Sequence, residues 1–390
     1  MSFRKKIISA ILAGVLCVTT AASFTGCSDV SYAMTINGEK LNAGVYLLYE
    51  YQVVSEARTK FGEENPDVDT SAEGFDYYAY NVEGKTFSQW ITDRTEVLCR
   101  EYAAVNALFD EKGMELTADE TSAINASVKS TWYDENPYLV YYGIDYPTMG
   151  QYYESLGIGM ESYKLVQLET EKREKLFDSL YSVGGTEGTT QAEVDAYFAE
   201  NYARAAYIEI ALEDGNGDKI ETSEGLKVLE DLGNGYVEKL KNGTPFSTVS
   251  KEYDTFVDEQ RKAAEKAQAA ADGTVYLEED DEEEADEEKT EADYETLFTK
   301  TGTNPSAEFV ENLFTMSNDA PQLYKTDDAY YVVVRRDLSE RTDWLEENTH
   351  TIIHKLKEDA MTELLANAYA GYTVEINEAA KSAYDPKSLK

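Results

Sequence analysis

The spacing of apolar positions changes several times along this chain, and each change predicts a different element. An uncharged, largely apolar run from Ile7 to Val18 follows three basic residues. It is too short to span a bilayer comfortably as a helix. Tyr32-Ala-Met-Thr-Ile36 alternates as a strand does, Asn37-Gly38 marks a turn, and Asn42 is placed to cap a helix running to about Phe61. Residues 62–85 are polar and read as irregular. Ile91, Leu98, Tyr102, Val105 and Phe109 then recur at helical spacing, predicting a helix over 86–112 that stops at Gly113. Thr117-Ala-Asp-Glu120 and Thr190-Gln-Ala-Glu193 each have the form of a capping box, in which threonine oxygen and glutamate satisfy two orphaned backbone amides. Between them, 160–181 forms a long amphipathic pattern. Residues 33–200 therefore read as mostly helical.

The texture changes at Ala203-Arg-Ala-Ala-Tyr-Ile-Glu-Ile-Ala-Leu212, an alternating run ending in Glu213-Asp-Gly-Asn-Gly, which predicts a strand and a loop. A helix follows over about 223–241, ended by Asn242-Gly243. A short helix is expected at 245–253, with helix-forming residues at 257–272. A nearly unbroken acidic run occupies 278–295. Ala329-Tyr-Tyr-Val-Val-Val-Arg335 predicts another strand, and 342–370 another helix.

The N-terminal pattern has the three parts of a secretory signal: Arg4, Lys5 and Lys6, the apolar run, and small residues ending in Phe24-Thr-Gly-Cys27. That exit resembles a bacterial lipobox, with Phe24 in place of the usual leucine. The resemblance implies a diacylglyceryl thioether on Cys27 and removal of residues 1–26; a plain secretion signal is the alternative. Each buried methylene contributes ~0.8 kcal/mol, so two acyl chains hold without a basic patch. The expected location is the extracytoplasmic face of a cell membrane, with 27–32 as a tether.

Removal of 1–26 leaves 364 residues, enough for two domains, and 32 basic against 76 acidic side chains, a formal charge of −44. Nucleic acid is excluded as a partner because phosphate binding needs a basic footprint. Cys17 leaves with the signal and Cys27 carries lipid, so Cys99, on an apolar helix face, is the remaining thiol and reads as a buried, inert one. No cofactor and no metal are expected. His350 and His354 stand one helical turn apart, but His350-Thr-Ile-Ile-His354 has no glutamate after the first histidine, as a zinc protease helix would, and reads as a solvated face. The acidic run lacks the glycine-punctuated spacing of a calcium loop and reads as a disordered, solvated insertion. Pro137-Tyr-Leu-Val-Tyr-Tyr-Gly-Ile-Asp-Tyr146 supplies apolar area that tolerates water, and Tyr141 and Tyr142 are candidates for contact with unfolded chains; packing into the core or a loop is the alternative.

The order of these pieces resembles the foldase lipoproteins of Gram-positive bacteria (the PrsA type) and the SurA-like chaperones. The matching residues are Ile36-Asn-Gly-Glu-Lys-Leu41, Glu111 through Glu120, Thr190 through Tyr202, Arg204-Ala-Ala-Tyr-Ile-Glu-Ile210, Leu240 through Tyr253, Glu308 through Met316 and Thr326 through Val333. They follow the family's order over most of the chain. The resemblance implies an α+β protein: a mostly helical SurA-N-like chaperone domain with an inserted parvulin-like α/β domain, a small antiparallel sheet flanked by helices. On that reading 33–202 begins the chaperone domain, 203–340 is parvulin-like, and 341–390 returns to the chaperone domain.

Parvulins are peptidyl-prolyl isomerases with two facing histidines in the sheet. Here Tyr207 and Tyr331 occupy those positions, and Phe256 falls where the family has cysteine or aspartate. Phe309 and Phe314 fall on apolar residues of the proline pocket, with core packing as the alternative for both. The implied function is a membrane-anchored chaperone for unfolded or newly secreted proteins, with weak or absent isomerase activity. The rival is an interaction lipoprotein using the same scaffold for one dedicated partner.

Overall fold

A computed structural model of the protein describes residues 31–276, 289–381 and 386–388. The signal, Cys27 and the core of the acidic run lie outside the described residues. The chain divides into two compact units, one comprising 1–186 and 357–390, the other 187–356.

The first unit opens with strand β1 (Tyr32–Ile36), which turns through Asn37 and Gly38 into strand β2 (Glu39–Asn42). Both turn residues have positive φ, 51° and 88°, which asparagine and glycine tolerate best. The strand thus begins inside the expected tether, at Tyr32. Helix α1 (Ala43–Glu64) follows directly; Asn42 is at its N-cap but makes no side-chain capping bond. Residues 62–85 are better ordered than their polarity suggested. Phe75, Tyr77 and Tyr80 pack their rings 5.1–5.8 Å from the buried Phe61, ahead of a short hairpin of β3 (Asn81–Val82) and β4 (Lys85–Thr86).

Helices α2 (Phe87–Glu111), α3 (Ala118–Tyr133), α4 (Met149–Ser155) and α5 (Met160–Tyr181) complete this part. The Thr117 box at the start of α3 is formed in both directions. One core gathers Met34 and Ile36 of β1, Leu47 and Leu48 of α1, Cys99 of α2 and Val166 of α5. Within it sits a buried carboxylate, Glu169, which accepts from the Tyr49 hydroxyl at 3.2 Å and from Arg173 Nε at 3.1 Å. Removal from water raises the Glu169 pKa above the usual carboxylate value in spite of Arg173. Burial likewise raises the Cys99 thiol, so it is inert at neutral pH.

The second unit begins at α6 (Gln191–Asn201), whose Thr190 box is also formed. It starts earlier than the expected boundary at 203 because α6 runs directly into β5 (Tyr202–Ala211). After β5 come α7 (Ser223–Lys241) and α8 (Phe246–Asp272). Helix α8 is one continuous element, not the two pieces expected, since residues 254–272 hold neither glycine nor proline and are rich in good helix formers. The described chain resumes at Lys289, inside the expected insertion 278–295, and is ordered from there. Thr290 caps a turn of 3-10 helix (Glu291–Tyr294), and the Glu291 carboxylate accepts the first free amides of α8, from Phe246 and Ser247, both at 2.9 Å.

Strand β6 (Glu295–Thr299), α9 (Ala307–Thr315), β7 (Gln322–Lys325) and β8 (Ala329–Arg336) follow. The four strands form one antiparallel sheet in the order β6-β5-β8-β7. Arg204 of β5 holds Glu295 of β6 through two bonds of 2.7 Å and also reaches Glu340, so the last acid of the run is a buried structural partner. Helices α7 and α8 cover one face of the sheet, packing on Ile208, Ile210, Tyr330 and Val332. Helix α9 covers the other, on Ala203, Ala205, Tyr331 and Val333. Most of both faces is covered, with Glu209 of β5 left exposed on the α9 side.

Helix α10 (Thr342–Tyr369) starts in the second unit and ends in the first, with the division at Leu356 where the sequence placed it at 340. Strand β9 (Val374–Ile376) then adds to the free edge of β1, giving the order β2-β1-β9, and α11 (Glu378–Lys381) closes the described helices. The fold is α+β, with small antiparallel sheets in a mostly helical chain. Among the described residues, no helix is long and apolar enough to cross a membrane.

Candidate functional site

Two regions concentrate the residues singled out by sequence, and both are aromatic. The first lies on the α9 face of the sheet in the second unit. Alternation along β5 and β8 places Tyr207 and Tyr331 on this face, diagonally related because Tyr207 is opposite Val333 and Tyr331 opposite Glu209. Their ring centroids are 6.1 Å apart. Phe309 of α9 sits over the pair, 4.7 Å from Tyr331 and 5.2 Å from Tyr207, and Phe298 of β6 completes the group. Tyr331 and Phe309 are buried and Tyr207 is half-buried.

Burial, followed by the charge of Glu209, pushes the Tyr331 phenol up to about 12 and raises Tyr207 in the same direction. Both phenols stay protonated at neutral pH. Each can donate one hydrogen bond; neither can take up a proton as a histidine pair could. Phe309 packs in the core cluster with Phe298, Tyr331 and Val333.

Phe314, further along α9, packs half-buried against the same cluster. It lines a cavity of about 730 Å³ beside Lys300, Glu311 and Arg335. Arg335 donates to the carbonyls of Phe314 and Met316, at 3.1 and 2.9 Å, and its guanidinium carbon lies 5.9 Å from the Phe314 ring. The two phenylalanines therefore pack on one cluster, Phe309 buried within it and Phe314 half-buried at its margin.

Phe256 does not join them. It lies on α8, stacked on Tyr253 at 6.4 Å, in the cluster on the opposite face of the sheet from Tyr207 and Tyr331. The expectation assumed that the chain turned just after Tyr253, and the continuation of α8 removes that turn. Tyr324, which sequence reasoning missed, stands opposite Tyr331 on β7 and donates to Glu308 at 2.8 Å. A four-residue edge strand carries too short an alternation to be found from sequence.

The second region is residues 133–146 of the first unit, between α3 and α4. Here the tyrosine stretch forms a loop whose rings face water and are not packed into a core: Tyr138, Tyr141 and Tyr142 are 71, 87 and 74% exposed. Only Leu139 of this stretch turns inward. Its carbonyl accepts from the amides of Tyr142 and Ile144 at 3.0 and 2.9 Å, while Asn136 N–H closes the base of the loop onto the Pro147 carbonyl at 2.9 Å. Gly143, at φ 76°, makes the reversal. Beneath the loop, α4 packs tightly on α3: a side chain at Gly150 would meet the Trp132 backbone at 2.6 Å. Trp132 donates to Glu154 at 2.9 Å, and its ring continues through Tyr153 and Tyr152 to Tyr146 in steps of about 6 Å. This row of rings runs from the buried Trp132 through half-buried Tyr153 and Tyr152 to the exposed Tyr146.

His350 and His354 are placed on α10 with ring centroids 4.6 Å apart.

Comparison with known proteins finds matches of low similarity. No protein-family model matches the chain, and no curated protein does. Among solved structures, the chain is similar to PrsA from Bacillus subtilis (14% identity over 74% of this chain and 88% of that one, TM-score 0.25). It is also similar to the foldase protein PrsA of Streptococcus pneumoniae (13%, 79% and 98%, TM-score 0.33) and that of Lactococcus lactis (11%, 90% and 97%, TM-score 0.32). At such scores any functional reading rests on this chain's own residues.

Proposed function

We propose that this protein is an extracytoplasmic, membrane-anchored chaperone of the foldase type, which holds unfolded exported polypeptides and catalyses prolyl isomerisation weakly or not at all. The observation that carries the reading is the loop of residues 133–146. Large apolar rings at a surface are normally hidden, and a preformed loop that turns three tyrosines and Val140 to solvent lowers the ordering cost of contact with a partner. Tyrosine suits varied partners because its ring is apolar and its hydroxyl tolerates water. An unfolded chain held there is withdrawn from aggregation without any reacting group.

The second unit supports the proposal of weak catalysis. Isomerisation must overcome a barrier of ~18–20 kcal/mol with no covalent bond broken, so it depends on a shaped polar pocket around the X-Pro carbonyl. Tyr207 and Tyr331 are instead packed beneath Phe309, and Phe256 is on the far face of the sheet. Anchoring rests on Cys27 and its preceding signal in the sequence.

The test is an aggregation assay with several unrelated unfolded proteins, beside a proline tetrapeptide assay. Suppression of aggregation of all of them, lost on replacing Tyr138, Tyr141 and Tyr142 by serine, is the expected outcome. Activity near that of an efficient parvulin and abolished by Tyr331→Phe would refute the catalytic half. Protection of one protein alone would favour a dedicated partner.

A further inference from the structure

We infer that the 133–146 loop selects for lysine and arginine side chains carried on extended, unfolded polypeptide. The inference rests on the client-holding reading above and names what that site prefers. Between Lys129 and Lys164 the sequence has no basic residue, yet it holds eight tyrosines and five carboxylates. Glu154 is engaged by Trp132 beneath the loop, whereas Asp134, Glu135 and Asp145 are exposed beside the outward tyrosines.

This pairing of groups is complementary to one kind of side chain. A tyrosine ring presents a negative face that attracts a cation within about 6 Å. An adjacent carboxylate adds a charged partner for the same cation. The aliphatic stem of lysine or arginine covers apolar ring surface while its head stays wet. Elsewhere in the chain tyrosine faces receive the protein's own lysines, as with Lys40 over Tyr32 at 4.4 Å and Lys325 over Tyr330 at 5.4 Å. In the loop, sequence places no such residue next to Tyr138, Tyr141 or Tyr142.

Screening decides which charges matter. At physiological salt the Debye length is about 8 Å, so the protein's overall charge of −41 is largely screened at any one spot and the carboxylates flanking the loop set the local preference. The preference is therefore a property of the loop and can be removed there. A glutamate-bearing segment would bring like charges together and is disfavoured by the same groups.

The experiment uses the full mature chain and three peptides of equal length and apolar content, each unstructured, with lysine, glutamine or glutamate at the same variable positions. Binding by fluorescence anisotropy should rank lysine over glutamine over glutamate, with the lysine advantage shrinking as salt is added. Asp134→Asn, Glu135→Gln and Asp145→Asn together should make lysine and glutamine peptides equivalent. Replacing Tyr138, Tyr141 and Tyr142 by serine should weaken the lysine peptide about tenfold. All six positions are exposed, and an unchanged circular dichroism spectrum and melting temperature confirm the fold of each variant. Equal binding of lysine and glutamine peptides by the unmodified protein, still weakened by the serine variant, would overturn the charge preference and leave the client-holding reading standing. Binding of any rank that ignores the serine variant would overturn both.

Discussion

Tyrosine serves opposite ends in the two aromatic regions. In the second unit Tyr207 and Tyr331 lie on strands, and strand alternation sends them toward α9, where Phe309 covers them. In the first unit Tyr138, Tyr141 and Tyr142 lie in a loop whose single inward side chain is Leu139, and they face water. The side chain is the same and the surroundings differ. A covered tyrosine contributes packing and a neutral phenol; an uncovered one offers apolar area to whatever approaches. The region whose positions correspond by resemblance to a catalytic centre is thus packed as core, while the tyrosines of the loop face water.

The sharpest way to break this contrast is to remove the lid of the buried cluster. Phe309→Ala should destabilise the second unit by about 3–5 kcal/mol, the usual cost of deleting a buried aromatic ring, read from denaturant unfolding. A change below about 1 kcal/mol would mean that the cluster is not core. The next largest effect is functional. Serine at Tyr138, Tyr141 and Tyr142 should shift unfolding by no more than about 0.5 kcal/mol, as for other exposed sites, yet raise the chaperone concentration needed to suppress aggregation about tenfold.

Smaller still is Tyr331→Phe, which keeps the ring and deletes the phenol at a cost of about 1 kcal/mol. This variant also carries a pH signature. The folded-state phenol ionises at about 12, above the ordinary value of about 10 for an unfolded chain, so the folded state holds its proton longer. The resulting stability is fully present below pH ~10 and is lost as pH rises through about 12; Tyr331→Phe should flatten that part of the stability profile and remove one absorbance step near pH 12. An unaltered profile would place Tyr331 in water.

The contrast extends to how much of each region was legible beforehand. The capping boxes at Thr117 and Thr190 and the span of α5 are local matters, settled within a few residues, and they formed as the sequence indicated. Strands β5 and β8 were legible because, at 10 and 8 residues, they are long enough for a strand pattern to show. Strands β6, β7 and β9 were not, since each is five residues or fewer and exists by pairing with a distant strand. The acidic run misled at its end: Glu291 and Glu295 look like more of the same charge, and only the α8 amides and Arg204 give them partners.

What the sequence determined by itself was whatever depends on near neighbours or on totals: the large negative charge, the caps at Thr117 and Thr190, the alternation of the main strands, and the presence of tyrosine where a parvulin-like pattern has histidine. The tertiary structure decided which face each aromatic ring meets. Tyr331 is buried because α9 returns over the sheet, Phe256 is remote because α8 continues on the other side, and Tyr141 is exposed in a loop where Leu139 is the buried side chain. Those outcomes follow from packing between segments far apart in the chain, where the cost of leaving apolar area in water is settled by the whole arrangement and by no short stretch of residues.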